Sequence, residues 1–149
     1  SKLDVLNGYG VDTILMDRKD PEIHKKAVFE RFPYGVDAIV DATGSASVLP
    51  DCFQLLKKQG RLLQFSSTKD DENITINPAY FYRNELQYYT SYCQVHEFGR
   101  AVDAIASGKV RLDKLVTRLY TLEQFPQAIE DVLDHSVLKL VIRPNGMED

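Results

Sequence analysis

The chain has no G-x-G-x-x-G. A complete dinucleotide-binding domain is built around that phosphate loop, so the loop would have to precede Ser1. No apolar run approaches the ~20 residues that span a bilayer, and no leader-like segment opens the chain. No membrane partner is expected. Cysteine is scarce: Cys52 and Cys93 are the two, and they have no metal-ligand spacing. Cys52 falls on an apolar helical face and reads as a buried free thiol, which suits a reducing, cytoplasmic setting. A basic excess is also missing. Lys and Arg number 18 against 22 Asp and Glu, for a net charge of -4. No nucleic-acid partner is expected from that balance. His24, His96 and His135 lack zinc-site spacing and read as ordinary surface or structural histidines.

What is present is a rhythm. Asp37-Ala38-Ile39-Val40-Asp41-Ala42-Thr43-Gly44 is an apolar strand ending in a small polar turn. A helical stretch from Ser45 to Gly60 follows, with Val48, Leu49, Cys52, Phe53, Leu55 and Leu56 on one face. Gly60 is expected to close it, and Arg61 through Ser67 returns as a strand. Strand, turn, helix and strand make a βαβ unit. The fold class expected is α/β, a partial Rossmann-like parallel sheet with a C-terminal helix and strand.

The same reading covers the flanks. Lys2–Gly10 resembles the tail of a helix, with Gly8 or Gly10 as its left-handed end. Val11–Met16 is expected as a strand. Asp20-Pro21-Glu22 supplies a cap, a first-turn proline and an acid for a helix that Pro33 stops. Val36–Val40, apolar enough for a buried parallel strand, follows the Tyr34-Gly35 turn. Leu86–Tyr92 is a further strand. Glu97–Ser107 is a helix with Phe98, Val102 and Ile105 on one face and Gly108 as its stop. Thr121 and Gln124 have capping-box spacing, and Leu122, Phe125, Ile129 and Val132 form the inner face of the helix they open. Val137–Ile142 is a last strand.

Several pieces resemble the C-terminal part of the medium-chain, zinc-type alcohol dehydrogenases, in particular the polyol branch (sorbitol, xylitol and arabinitol dehydrogenases). Gly8-Tyr9-Gly10-Val11-Asp12 is similar to the family's "LGAD". Asp37 through Gly44 resembles "D-x-V-x-x-x-T-G", and Gly60-Arg61-Leu62-Leu63-Gln64-Phe65 is similar to "G-G-x-x-x-x-V-G". Ala106-Ser107-Gly108-Lys109-Val110 with Leu115-Val116-Thr117 resembles "ASGKV…L-V-T-H", and Val137 through Ile142 is similar to "x-x-K-x-V-I".

The resemblance implies the rear part of an NAD- or NADP-dependent oxidoreductase, holding residues 1–149 of a nucleotide-binding domain. Residues 137–149 would return to a catalytic domain that this sequence does not contain. Zinc and a sugar alcohol or small alcohol would be bound there, and this portion alone would be inactive. The implied cofactor contacts are Ala42, Thr43 and Gly44 against the adenosine half, Ser66 and Ser67 near the nicotinamide ribose, and Ser91 and Tyr92 after the fourth strand. Ser91 stands where relatives often carry an Arg. Lys2 aligns with a basic position that a 2′-phosphate would favour, so NAD and NADP both remain open. Each contact has a plainer counterpart: a tight turn at Thr43-Gly44, a capped loop at Ser66-Ser67, a solvated helix residue at Lys2. The resemblance also implies a homo-oligomer through Ala79–Tyr82, an edge strand paired across a two-fold axis. A strand buried within its own domain is the competing expectation. A non-catalytic dimerisation module is the alternative function, and another doubly wound protein a third.

Overall fold

Two helices, α2 (Pro21–Arg31) and α4 (Pro78–Asn84), start on a proline with a short polar cap residue before it. A computed structural model describes residues 2–17, 19–92, 96–112, 114–134 and 136–146; Cys93 and His135, read above from sequence, lie outside them. The chain divides into two compact units, residues 14–93 and residues 1–13 with 94–149.

In the first unit, α2 (Pro21–Arg31) is capped as expected: Asp20 Oδ1 accepts the Glu22 N–H at 3.1 Å, with Pro21 in the first turn. Gly35 turns the chain at φ +86. A Cβ there would meet Leu55 O at 2.6 Å, so glycine is required by both conformation and space. β1 (Val36–Asp41) then runs parallel to β2 (Leu56–Gln64), which runs parallel to β3 (Gln87–Thr90), giving the sheet order β1-β2-β3. A short 3-10 turn (Ala46–Val48) and α3 (Leu49–Leu55) make the crossover. Leu49, Cys52, Phe53, Leu56 and Leu62 are the buried core of this unit. Phe53 is held edge-on by Phe81 at 4.7 Å and Tyr88 at 5.3 Å between centroids.

Four expectations fail between residues 11 and 82. Val11–Met16 is not a strand. A strand needs a ladder partner, and none of the described strands pairs with it. The Val36–Val40 strand exists but is not buried: Val40 is 62% exposed. The helix after Gly44 ends at Leu55, not Gly60. Leu56 turns extended at ψ 138 while Gln59 takes φ +63, and Gly60 lies inside β2. Leu56 pairs with Val36 and Arg61 with Ala38, so Lys57–Gly60 loop out of the ladder as a bulge.

The fourth correction concerns Ala79–Tyr82. It is neither an edge strand nor a buried one but the body of α4 (Pro78–Asn84). The Asn77 side chain accepts the Tyr80 N–H at 3.2 Å, Pro78 opens the first turn, and Glu85 ends the helix in the left-handed region at φ +52. Local capping outweighs the β-preference of the aromatics. The two-fold strand pairing expected at Ala79–Tyr82 therefore has no strand to form it.

The second unit holds α1 (Lys2–Asn7), α5 (Phe98–Ala106), β4 (Val116–Thr121), α6 (Phe125–Asp131) and β5 (Lys139–Arg143). Gly10 and Gly108 take the left-handed conformation expected at helix ends, at φ +76 and +72. β4 and β5 pair in parallel; β4 was not anticipated as a strand. Half of the capping box forms, with Gln124 Oε1 accepting the Thr121 N–H at 2.9 Å, while the helix itself starts at Phe125. The apolar face of α5 is exposed, with Phe98 at 79%, and so is the expected inner face of α6, with Ile129 at 55%; Ala128 is the residue α6 buries. Among the described residues no helix is long and apolar enough to cross a membrane.

Candidate functional site

Parallel pairing puts the carboxyl ends of β1, β2 and β3 at one edge of the sheet. The last rung aligns Asp41, Gln64 and Thr90. Ala42, Thr43 and Gly44 leave β1 at that edge, Ser66 and Ser67 leave β2, and Ser91 and Tyr92 leave β3. Lys2 lies on α1, in the other unit, with its side chain exposed.

The three turns are tied together. Asp41 Oδ1 accepts from Thr43 N at 3.0 Å and from the Thr43 hydroxyl at 2.7 Å. The Asp41 carbonyl accepts from Phe65 N at 2.9 Å and Ser66 N at 3.3 Å. Gln64 O accepts from Ser91 N at 3.1 Å, Gln64 Nε2 donates to Ser66 O at 3.2 Å, and the Tyr88 hydroxyl donates to Gln64 Oε1. Gly44 takes φ +68, and a Cβ on it would stand 3.0 Å from Ser67 O. Glycine thus lets the β1 turn and the β2 turn approach.

Two hollows flank this edge. At the edge itself, a cleft of about 590 Å³ runs between the β2 and β3 turns, lined by Ser66, Ser67, Thr68, Glu72, Ser91 and Tyr92 among others. A second, of about 320 Å³, lies beside Thr43, with Met16, Asp17, His24, Ser45, Val48 and Asp51 in its wall. Asp17 is held below the usual carboxylate range, first by the backbone N–H of Asp20 and then by that of Lys19. Lys25, itself buried, is bound by Asp51 at 2.6 Å and Glu22 at 3.0 Å.

Among the described residues, the buried side-chain polar atoms without a hydrogen bond are His24 Nδ1 and Asp41 Oδ2. Both belong to the surroundings of Thr43: His24 shares a hollow with it and Asp41 binds it. Unpartnered buried polar atoms are costly and cluster where function has imposed them. Cys52 is buried as expected, and burial, followed by the charge of Asp41, pushes its thiol up to about 11. It is chemically inert at neutral pH. Among the described residues no group of three or more His, Cys, Asp or Glu side chains is placed to hold a metal ion.

Sequence reasoning did not single out Asp41, Gln64, Asp17 or His24 as site residues. The available signal was Asp41 and Gln64 themselves: a charged and an amide residue closing otherwise apolar strands.

With that geometry described, comparison with known proteins is decisive for the family. The zinc-binding dehydrogenase model matches residues 9–138. The chain is a member of the zinc-binding dehydrogenase family. It is 32% identical over 130 residues to D-arabinitol dehydrogenase 1 of Uromyces fabae, covering 87% of this chain and 37% of that protein. It is 27% identical over 113 residues to sorbitol dehydrogenase of Bacillus subtilis, covering 74% of this chain and 32% of that one. This zinc-binding dehydrogenase chain thus spans roughly a third of the curated relatives it matches. In fold it is similar to a short chain alcohol dehydrogenase of E. coli CFT073 complexed with NADH. The TM-score there is 0.81 at 19% identity, over 95% of this chain and 41% of that one. The architecture is α/β and partial Rossmann-like.

Proposed function

We propose that this chain supplies the rear part of the nucleotide cradle of an NAD- or NADP-dependent alcohol or polyol dehydrogenase. The observation that supports this most is the convergence of three turns, after β1, β2 and β3, on one carboxyl edge of a parallel sheet. The residues fit a dinucleotide: a glycine turn without a Cβ, hydroxyls at Ser66, Ser67 and Ser91, a hollow beside Thr43 and a cleft between the β2 and β3 turns. Ala42, Thr43 and Gly44 would hold the adenosine half. Ser66, Ser67, Ser91 and Tyr92 would face the nicotinamide ribose. The cofactor supplies hydride transfer; these residues bind and orient it.

Zinc and the alcohol would be held by a catalytic domain outside these 149 residues. A sugar alcohol is the substrate class favoured by the relatives' names, arabinitol and sorbitol. A cytoplasmic location accords with this chemistry. The phosphate loop and its helix N-terminus are not in this sequence, so the pyrophosphate loses its main anchor. Titration of the labelled 149-residue chain with ADP-ribose tests the reading by NMR. Millimolar binding, with shifts at Thr43, Gly44, Ser67 and Ser91, is expected. Shifts confined to other surfaces, or none at all, would overturn the cradle. Micromolar NADH affinity would overturn the need for an outside phosphate loop.

A further inference from the structure

Asp41 is almost wholly buried, at 3% exposure, yet one of its carboxylate oxygens has no hydrogen-bond partner. The other oxygen does unusual duty. It takes both the N–H and the hydroxyl of Thr43, at 3.0 and 2.7 Å. The same residue's carbonyl takes the Phe65 and Ser66 amides of the neighbouring strand. One residue therefore grips the turn after β1 with its side chain and the turn after β2 with its backbone. We propose that Asp41 is a positioning residue that fixes these two turns relative to each other. This rests on the cofactor reading for its purpose, but the coupling itself belongs to this chain.

A local cap is the competing account. An Asx-type turn from residue 41 to residue 43 needs only a short acceptor, which Asn or Ser would supply without burying a charge. A buried carboxylate with one oxygen unpaired is a costly way to make such a cap. It makes sense where the two bonds to Thr43 must be stronger than neutral ones. The neighbouring position on the rung supports the same view. Gln64, opposite Asp41, spends both ends of its amide on Ser66 O and the Tyr88 hydroxyl. Polar side chains thus brace the last rung directly beneath the turns. Tyr88 is pushed up in pKa, first by burial and then by the charge of Asp41, so the carboxylate is felt across the sheet.

Residue-resolved hydrogen exchange of the full 149-residue chain tests the coupling without any cofactor. Asp41→Ala is expected to speed exchange about tenfold at Thr43, Phe65 and Ser66 while leaving Leu62 and Leu63 unchanged. Asp41→Asn, which keeps an acceptor but not the charge, is expected to recover only part of that protection. Acceleration at Thr43 alone would reduce Asp41 to a local cap and overturn the proposal. An equal rise at Leu62 and Leu63 would also overturn it, because the role would then be general stability. Should Asp41→Ala fail to fold, Thr43→Val serves instead: it removes only the hydroxyl bond, and unchanged exchange at Ser66 would sink the coupling. The same wild-type sample titrated with ADP-ribose separates the two readings. Silence there removes the cofactor reading, whereas the exchange pattern judges Asp41.

Discussion

Residues 14–93 and the unit made of residues 1–13 and 94–149 meet the cost of ordering in different ways. In the first, a helix laid on a parallel sheet removes Leu49, Phe53 and Leu62 almost completely from water, at 2, 4 and 0% exposure. In the second, the buried hydrophobics among the described residues are Tyr120, Ala128 and Val137, at 7, 1 and 8% exposure. What α6 and β4 share instead is a polar clamp. Arg118 binds Asp131 at 2.8 Å and Asp134 at 2.5 Å, and the Tyr120 hydroxyl donates to Asp131. One unit is held chiefly by apolar burial, which is non-directional and insensitive to salt. The other leans on charge pairs at half-exposed positions, which are worth less and respond to pH and ionic strength.

The sharpest way to break this contrast is to cut the core of the first unit. Phe53→Ala removes a ring packed between Phe81 and Tyr88. A loss of about 3–5 kcal/mol is expected. Denaturant unfolding followed at the β1–β3 amides measures it. A loss below about 1 kcal/mol would mean that the aromatic cluster is loosely packed. A smaller effect comes from the edge of the same core. Asn77→Ala removes the acceptor that caps α4, at an expected cost of about 1 kcal/mol. If circular dichroism showed α4 giving way to strand in that variant, capping would be confirmed as the choice-maker at Ala79–Tyr82.

That last segment shows what was legible from residues alone. The aromatics of Ala79–Tyr82 point to a strand, and Asn77-Pro78 stands just before them. The same two residues are a helix cap and a first-turn proline. Propensity spoke for strand, and the cap decided otherwise. The βαβ rhythm was readable because Val36–Asp41 and Arg61–Gln64 are apolar runs of strand length bounded by small polar turns. Val11–Met16 has the same composition and forms no ladder, since composition does not supply a partner strand. Gly60 misled because glycine serves equally at a helix end and in a bulge. The site's turns were visible as small residues after strands. The bonds that join them run through Asp41 and Gln64, whose roles depend on strand register and so on pairing across the sheet.

The smallest expected effect is the one that defines the second unit. Asp134 is held down to about 2, first by the backbone N–H and hydroxyl of Ser136 and then by Arg118. Asp131 is lowered too, chiefly by the Tyr120 hydroxyl. A carboxyl depressed in the folded state binds its proton more readily once unfolded. Its stabilisation is therefore complete above the unfolded value of about 4 and disappears as pH falls through about 2. Asp134→Asn should destabilise β4–β5 modestly at neutral pH. The difference from wild type should shrink between about pH 4 and about 2 and vanish below that. Added salt at neutral pH should shrink it as well, because the pair is part-exposed. Peak intensities from both sheets, followed through an acid titration, test this. If Asp134→Asn altered β1–β3 as much as β4–β5, or if its effect persisted undiminished at pH 2, charge would not be what holds α6 to its sheet.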